Sequence, residues 1–157
     1  EEAEAVVQGA KFTPIGMRGM GGSRQGLGVA DYVNKANGNN MVIVMIEDII
    51  AVQNLAQILK VDNIDCFFVA PSDLSQSMGA KYLGKREHPD VQAVIEKAIR
   101  QIVAAGRVAG ALADDSNIER YYDWGAKFFY CNTQDYVAKG LSGIRAKVAA
   151  KAAPSGR

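Results

Sequence analysis

The sequence predicts an α/β fold of the (β/α)8 TIM-barrel type, of which the chain covers about the C-terminal four β/α units. Two observations lead to this prediction: four strand-like apolar runs alternate with helical patterns, and most connections between them are short. The runs are almost continuously apolar, which is typical of parallel strands covered on both faces. A complete barrel takes about 250 residues, so four units in 157 residues correspond to half of one. From the pattern alone, a flavodoxin-like doubly wound sheet is the alternative architecture.

The predicted elements follow the order βαβαβαβα after a helix at the start of the chain. The predicted strands are Met41–Ile46, Ile64–Ala70, Arg107–Leu112 and Lys127–Cys131. The helices, predicted from the helical period of apolar residues, are Glu1–Gln8, a short stretch near Ala30–Ala36, Ile49–Leu59, His88–Ala105, Ser116–Trp124 and Gln134–Ala152. In the first helix we expect Ala3, Val6 and Val7 to face inward.

Local residue types indicate where several of these helices begin and end. Pro89 suits the first turn of the helix that follows His88. Gly106 stands where a glycine commonly ends a helix. Ser116 and Glu119 have the spacing of a capping box, in which each side chain bonds the backbone of the other residue. Strands and helices thus alternate with short connections, which favours parallel strands joined by right-handed crossovers.

We expect a single domain over residues 1–157, with two segments of different character. Residues 11–40 form a long glycine-rich connection, and loops of this length are usually functional or disordered. Residues 153–157 are expected to be a frayed tail. Because no strand precedes the first helix, we expect the sequence to begin just after a strand of the barrel.

Composition excludes several classes of protein. The net charge of +1, from 18 basic and 17 acidic residues, gives no electrostatic basis for binding nucleic acid or an anionic membrane. No apolar run approaches the roughly 20 residues that span a bilayer, and the acidic N-terminus has no signal-peptide pattern. Cys66 and Cys131 lie in apolar runs, so we expect buried, reduced thiols in a cytoplasmic protein.

Two carboxylates follow neighbouring predicted strands at their C-terminal ends. Glu47 comes directly after the first strand, and Asp73 follows the second after Pro71 and Ser72. In a parallel barrel these strand ends share one face, which carries the active site. Paired carboxylates suit Mg²⁺ or Mn²⁺, and the site lacks the histidine or cysteine typical of zinc. The alternative is that these acids are helix caps, with Asp48 the better cap of the adjacent pair.

Other polar residues have more than one interpretation. The stretch 14–26 (PIGMRGMGGSRQG) could wrap an anion or form a flexible loop, and it fits neither of the common glycine-rich nucleotide motifs. Arg18 and Arg24 are candidates for pairing with a substrate carboxylate, or for surface ion pairs. His88, the only histidine, is better explained as a helix-start residue than as a base. Trp124 is expected to pack at the core or its rim.

The motifs around both carboxylates resemble those of the HpcH/HpaI aldolase family. The run 46–65, which starts Ile-Glu-Asp, resembles the strand and helix that carry that family's metal-binding glutamate. The run 68–79 (FVAPSDLSQSMG) resembles its second metal motif, usually close to G-P-x-D-L-S-x-S-x-G. The segments 14–19, 88–91 and 106–110 fit as well, so the resemblance covers essentially all 157 residues.

The resemblance implies a metal-dependent pyruvate aldolase, a carbon–carbon lyase that cleaves 2-keto-4-hydroxy acids to pyruvate and an aldehyde. It implies that Glu47 and Asp73 hold a divalent ion, Mg²⁺ or Mn²⁺ with Co²⁺ as a further candidate, and that the ion stabilises the enolate of pyruvate. The backbone around Ser72 and Asp73 is expected to hold the pyruvate carboxylate, and Arg18 is the third candidate substrate-binding residue. Members are commonly hexamers in which the last helix, here 134–152, packs on a neighbour.

Several positions depart from the family pattern. Met45 stands where a glutamine is common, and Ala70 stands where the second motif has glycine. The family's catalytic base and enolate-stabilising arginine belong to its N-terminal half, and no region here corresponds to them; His88 and Arg18 match other positions. The alternatives are therefore a citrate-lyase-like or malyl-CoA-lyase-like enzyme, or a catalytically incomplete half-barrel that binds metal or assembles with a partner.

Overall fold

Four parallel strands form one sheet in the order β1-β2-β3-β4. The computed structural model describes residues 1–21 and 24–152; the predicted tail at 153–157 and Gly22 of the glycine-rich stretch lie outside them. The strands are β1 (Ile43–Ile46), β2 (Cys66–Val69), β3 (Ala109–Ala113) and β4 (Phe128–Cys131). Each begins one or two residues later than predicted, because the flanking residues lie outside the paired register of the strands.

Helices occupy the connections between the strands and precede β1. They are α1 (Glu2–Ala10), α2 (Tyr32–Asn39), α3 (Ile49–Gln53), α4 (Leu55–Ile58), α5 (Pro71–Ser77), α6 (Pro89–Ala104), α7 (Ile118–Asp123) and α8 (Thr133–Ala152), with a short 3-10 turn at Arg24–Gly26. The alternation of parallel strands and crossover helices confirms the predicted fold class. None of the helices in these described ranges is both long enough and apolar enough to cross a bilayer.

The main core lies between the sheet and helix α6. The inward face of α6 is fully buried, as its apolar period predicts; its members are Val91, Ile95, Ala98, Ile99 and Ile102. Each large aliphatic side chain buried in this way stabilises the fold by about 1.5–3 kcal/mol relative to its exposed state. Gly106 follows the helix with a φ of 71°, a left-handed conformation that glycine adopts without strain, which confirms the predicted helix end.

The other face of β1 is open within this chain. Val44 and Ile46 are buried against the helices, whereas Ile43 and Met45 on the opposite face are exposed. In a closed barrel this second face lines the interior. The prediction that every strand is covered on both faces is therefore wrong for β1. It is also wrong for β4, where Tyr130 is exposed, although it holds for most of β2 and β3.

Three predictions about the helices are wrong. The segment Ile49–Leu59 is two short helices, because Asn54 interrupts it with a backbone outside the α region. Val6 is exposed, and only Val7 of α1 is fully buried. The proposed Ser116–Glu119 capping box is absent from the described contacts: α7 begins two residues later, and the Ser116 hydroxyl bonds the nearer carboxylate of Asp114 instead.

The two cysteines are free and differ in their surroundings. Cys66 is fully buried at the start of β2, and burial together with the charge of Asp65 raises the pKa of its thiol to about 11. Cys131, at the end of β4, is only half-buried, so the expectation of burial is wrong for this residue. The buried thiol of Cys66 therefore stays protonated at neutral pH.

Candidate active site at the strand ends

Glu47 and Asp48 divide two roles between them at the end of β1. Asp48 is the N-cap of α3, and its carboxylate accepts a 2.7 Å hydrogen bond from the Ala51 N–H. The side chain of Glu47 has no hydrogen bond or ion pair with any residue that the structure describes. Side chains alternate along a strand, so Glu47 projects from the same face as Met45. The prediction that Asp48 is the cap is confirmed. Glu47 takes no part in capping α3, and its carboxylate has no partner among the described residues.

Asp73 lies in the first turn of α5, directly after β2. Pro71 opens this helix, and Leu74 and Ser75 of the same motif are buried. The Ser75 hydroxyl donates to the Ser72 carbonyl at 2.7 Å, which fixes the turn that carries Asp73. Within the described residues the Asp73 carboxylate is exposed and has no hydrogen bond or ion pair.

Two hydrogen bonds join the segments that carry these carboxylates. The Ala70 N–H donates to the Ile46 carbonyl at 3.2 Å, which extends the β1–β2 ladder to the residues before Glu47 and Pro71. The Ile49 N–H donates to the Ser77 hydroxyl at 2.9 Å, which links the start of α3 to the end of α5. Both carboxylates thus stand at the same edge of the sheet, on adjacent strand ends.

A cavity of about 840 Å³ borders Glu47. It is lined by the open side of β1, by α3 and α4, and by the first residues of α1, where Glu1, Glu2 and Glu4 add negative charge. The wall is therefore acidic on one side and apolar on the other. Among the residues that the structure describes, no cluster of three or more histidine, cysteine or acidic side chains could hold a metal ion.

Arg18 and His88 are occupied elsewhere. The Arg18 guanidinium lies 4.9 Å above the Phe12 ring and donates to the Tyr32 hydroxyl at 3.4 Å, so these contacts hold it within the 11–32 segment. His88 is the N-cap of α6, and its Nδ1 accepts a hydrogen bond from the Asp90 N–H. The prediction that His88 is a helix-start residue is confirmed.

Two residues at this edge of the sheet escaped the sequence analysis. Asp114 follows β3 directly, as Glu47 follows β1, and its carboxylate accepts from Arg86 Nη2 at 2.6 Å. The Ser116 hydroxyl, the Ser116 N–H and Arg86 hold the pKa of the Asp114 carboxyl below its ordinary value, although burial acts in the opposite direction. Its position after a strand could have identified Asp114, whereas its partner lies 28 residues away in sequence.

Residues 1–134 match the model of the HpcH/HpaI aldolase/citrate lyase family. The 2-keto-3-deoxy-L-rhamnonate aldolase of Klebsiella pneumoniae is 43% identical to the chain over 134 residues, which are 82% of the chain and 49% of that protein. The 4-hydroxy-2-oxo-heptane-1,7-dioate aldolase of Salmonella paratyphi B is 38% identical over 162 aligned positions, covering 99% of the chain and 61% of that protein. The chain thus spans about half to three fifths of these relatives.

A solved structure agrees with the sequence relatives. The HpcH/HpaI aldolase/citrate lyase family protein of Burkholderia cenocepacia superposes with a TM-score of 0.84 at 26% identity, over 94% of this chain and 60% of that one. The four parallel strands therefore correspond to part of a TIM-barrel-type fold. Both sequence and structure lead to one conclusion: the chain belongs to the HpcH/HpaI aldolase/citrate lyase family.

Proposed function

We propose that the protein is a divalent-metal-dependent pyruvate aldolase, which cleaves 2-keto-4-hydroxy acids to pyruvate and an aldehyde. The observation that carries the proposal is the pair of carboxylates, Glu47 and Asp73, which stand on adjacent strand ends and have no hydrogen-bond or ion-pair partner in the described part of the chain. Aldolase activity in the named relatives supports the same chemistry. An acid that only started a helix would be expected to bond the helix backbone, as Asp48 does next to Glu47.

The residues present fit a hard divalent cation. Two carboxylates supply oxygen donors, and the absence of a third acidic, histidine or cysteine donor in the described part of the chain leaves positions for water and substrate oxygens. Mg²⁺ and Mn²⁺ prefer such oxygen-rich, incompletely protein-ligated sites, and Co²⁺ is a further candidate. When bound, the ion would supply Lewis-acid stabilisation of negative charge on the keto oxygen of the substrate.

The chain's own residues orient the pyruvate half of the substrate. The N–H groups in the first turn of a helix have no acceptor within the helix, and in α5 these include Ser72 and Asp73. They carry the positive end of the helix dipole and suit the pyruvate carboxylate. The buried Ser75 and Leu74 keep that turn in place, so the carboxylate would be held beside the Asp73 side chain. Arg18 would contribute only if the 11–32 segment brought it to the same edge.

The reaction is a retro-aldol cleavage. The C4 hydroxyl of the substrate loses its proton and becomes the aldehyde carbonyl as the C3–C4 bond breaks. The electron pair of that bond passes to C3 and the adjacent keto group, giving the enolate form of pyruvate, and C3 then takes a proton. No oxidant or reductant is needed. Glu47 and Asp73 would hold the divalent ion whose positive charge favours this step.

The last helix supports a homo-oligomer. Four apolar side chains lie on one face of α8 at helical spacing and are 52–63% exposed: Val137, Leu141, Ile144 and Val148. A helix with an uncovered apolar face is stabilised when another surface covers it. We therefore propose that the protein is a homo-oligomer, and we take its hexameric size from the resemblance to the family. A cytoplasmic location is a separate part of the proposal.

Mn²⁺ binding to the intact protein tests the site directly. Titration with and without pyruvate should show one ion per chain, bound more tightly when pyruvate is present. Glu47→Gln and Asp73→Asn should each weaken Mn²⁺ binding by roughly 10- to 100-fold or more, because each removes a charged ligand. Asp48→Asn is the matched control: asparagine also caps helices, so Mn²⁺ binding should not change.

Pyruvate proton exchange provides a second readout. The intact protein with Mn²⁺ should exchange the C3 protons of pyruvate with deuterium from the solvent, as followed by NMR. If the folded protein binds no Mn²⁺, the carboxylates form no metal site. If it binds Mn²⁺ and pyruvate without exchange, the chain acts as a metal-binding module and the aldolase proposal fails.

A further inference from the structure

The hydroxyl of Ser77 joins the two segments that carry the proposed metal ligands. Ser77 is half-buried and is the last residue of α5, the helix whose first turn contains Asp73. Its Oγ accepts a hydrogen bond of 2.9 Å from the Ile49 N–H, which lies 28 residues earlier in the chain. The same hydroxyl donates to the Leu74 carbonyl at 2.8 Å. Because its hydrogen is used in that second bond, the oxygen presents a lone pair to Ile49, and the side chain has one defined orientation.

The Ile49 N–H needs an acceptor from outside its own helix. Ile49 is the first residue of α3, and the opening N–H groups of a helix have no acceptor within it. The carboxylate of Asp48, the N-cap, accepts from the Ala51 N–H instead. Asp48 and Ser77 thus satisfy different N–H groups of α3. The Asp48 bond is local, whereas the Ser77 bond ties α3 to the segment that follows the next strand.

Two hydrogen bonds between these segments close a ring that contains both carboxylates. On one side of the ring the Ala70 N–H donates to the Ile46 carbonyl at 3.2 Å. On the other side the Ser77 hydroxyl accepts from the first N–H of α3. The chain between the two bonds carries Glu47 on the first segment and Asp73 on the second. Loss of the Ser77 bond would open the ring, so the turn that carries Glu47 would be free to move relative to α5.

We propose that Ser77 is a positioning residue of the metal site, whose hydroxyl holds Glu47 where it and Asp73 bind the same divalent ion. The inference rests on the proposed aldolase function. Ser77 acts through the backbone of the α3 turn, and the two carboxylates bind the ion. A site whose ligands are held in place before the ion arrives loses less conformational freedom on binding. Outer partners of metal ligands typically contribute roughly 10- to 100-fold to metal affinity, and an effect through the backbone belongs at the lower end of that range.

Mn²⁺ titration of the intact protein and of serine variants tests the inference. Ser77→Ala removes the hydroxyl and should raise the Kd for Mn²⁺ by about tenfold, equivalent to 1.4 kcal/mol. Ser77→Thr keeps the hydroxyl and should restore the Kd to within about twofold of wild type. Ser116→Ala is the matched control, because it also removes one serine hydroxyl at a strand end, there bonded to Asp114, and should leave the Kd unchanged.

A wild-type Kd in Ser77→Ala would overturn the inference. So would a Kd in the folded Ser77→Thr variant that is raised as much as in Ser77→Ala, since the hydroxyl would then not be the group that matters. Circular dichroism establishes that each variant is folded. If Ser77→Ala does not fold, the Kd of Ser77→Thr still decides the question.

A double-mutant cycle with Glu47→Gln distinguishes positioning from a general structural role. If Ser77 acts by placing the Glu47 carboxylate, its hydroxyl should matter little once that carboxylate is gone. Ser77→Ala should therefore change the Kd for Mn²⁺ by less than about twofold in the Glu47→Gln background. Electron paramagnetic resonance of free Mn²⁺ measures the weak binding that remains. Equal losses in both backgrounds would mean that Ser77 only supports the fold, and would overturn the inference.

Mn²⁺ binding by the wild-type protein separates this inference from the proposed function. If wild type binds one ion per chain and Ser77→Ala binds it equally well, the positioning role fails while the metal site of the proposed function stands. If the folded wild-type protein binds no ion, the proposed function fails, and the positioning role fails with it. One ion bound by wild type, weaker binding by Ser77→Ala and no further loss in the double variant would support both.

Discussion

Charged side chains at the two ends of the sheet differ in their hydrogen bonding. At the end where the strands begin, charged groups are bound to the backbone: Arg107 donates to the carbonyls of Leu59, Val61 and Ile64 at 2.9–3.0 Å. Asp65 accepts from the Val42 N–H at 2.7 Å. At the end where the strands finish, Glu47 and Asp73 have no such partner among the described residues.

Lys11 extends the same contrast. Its side chain is buried, and its Nζ donates to the Asn37 and Asn40 carbonyls at the C-terminal end of α2. A cation at a helix C-terminus is favoured by the helix dipole, so this buried charge stabilises the connection into β1. Charged groups at the starting end thus bond the backbone. At the finishing end the carboxylates of Glu47 and Asp73, unlike those of Asp48 and Asp114, have no hydrogen-bond partner among the described residues and are available for ligands. The comparison divides the molecule into a structural end and a reactive end.

The largest expected effect is on catalysis by the reactive end. Asp73→Asn should lower kcat/KM for aldol cleavage by about 100-fold or more, which is close to 3 kcal/mol of transition-state stabilisation. The free energy of unfolding without metal should change by less than about 0.5 kcal/mol, because the exposed carboxylate makes no hydrogen bond or ion pair with the residues that the structure describes. Steady-state kinetics and urea unfolding of the same variant measure the two effects. A strong loss of stability would contradict the division between the ends.

The second largest expected effect is a loss of stability caused by a substitution at the structural end, Arg107→Met. Arg107→Met keeps much of the side-chain volume but leaves three carbonyls without their charged donor, and it removes the cation 4.9 Å from the Phe67 ring. We expect the free energy of unfolding to fall by about 3 kcal/mol. Arg100→Met, which breaks only an exposed pair with Glu96, should cost less than about 0.5 kcal/mol.

The measurement for Arg107 is urea unfolding followed by circular dichroism. Pyruvate affinity of the folded Arg107→Met variant should match wild type when Mn²⁺ is saturating, since the substitution lies at the opposite end of the sheet. If Arg107→Met proved no more harmful than Arg100→Met, the three carbonyl bonds would contribute nothing to stability.

Glu47 and Asp48 allow a structural residue to be compared with a proposed metal ligand at adjacent positions. Asp48→Ala removes the cap of α3 and should lower the free energy of unfolding by about 1 kcal/mol without abolishing Mn²⁺ binding. Glu47→Gln should do the reverse, with lost Mn²⁺ binding and unchanged stability. Thermal unfolding and Mn²⁺ titration of both variants give the two pairs of values. Equal stability losses at the two positions would show that both residues are structural.

Features that depend on near neighbours could be predicted from the sequence. The strand ends to within one residue, the Asp48 cap, the His88 helix start and the Gly106 helix end all follow from residue types a few positions apart. Glu47 was placed at the end of β1 for the same reason, since an apolar run followed by an acid is visible in the sequence. The local residue pattern therefore predicts where a carboxylate lies relative to the end of a strand.

Features that depend on distant contacts could not be predicted. Arg107 bonds carbonyls 43–48 residues earlier in the chain, and Arg86 meets Asp114 across 28 residues. The Ser116 capping box failed because Asp114, two residues away, offers a charged acceptor that competes for the same hydroxyl. Charge pairing between segments is decided by the packing of the whole sheet, which the residue pattern does not specify.

The smallest expected effect concerns the pH dependence contributed by Asp114 at the reactive end. Hydrogen bonds from Ser116 and the charge of Arg86 lower the pKa of this carboxyl in the folded protein. A lowered pKa stabilises the fold at pH values above the unfolded pKa of about 3.9, and this contribution is lost as the pH falls through the folded pKa. Asp114→Asn should therefore be less stable than wild type by a few tenths of a kcal/mol at pH 6, and this difference should shrink as the pH falls through the folded pKa.

Urea unfolding of both proteins at pH 6 and pH 3 checks this difference. Asp62→Asn serves as the control, because Asp62 is exposed and has no hydrogen bond or ion pair within the described residues. The Asp62→Asn change removes a carboxylate that makes no such contact, so it reports the effect of the lost charge alone. A pH-independent effect of Asp114→Asn would mean that the Arg86 contact does not depend on charge.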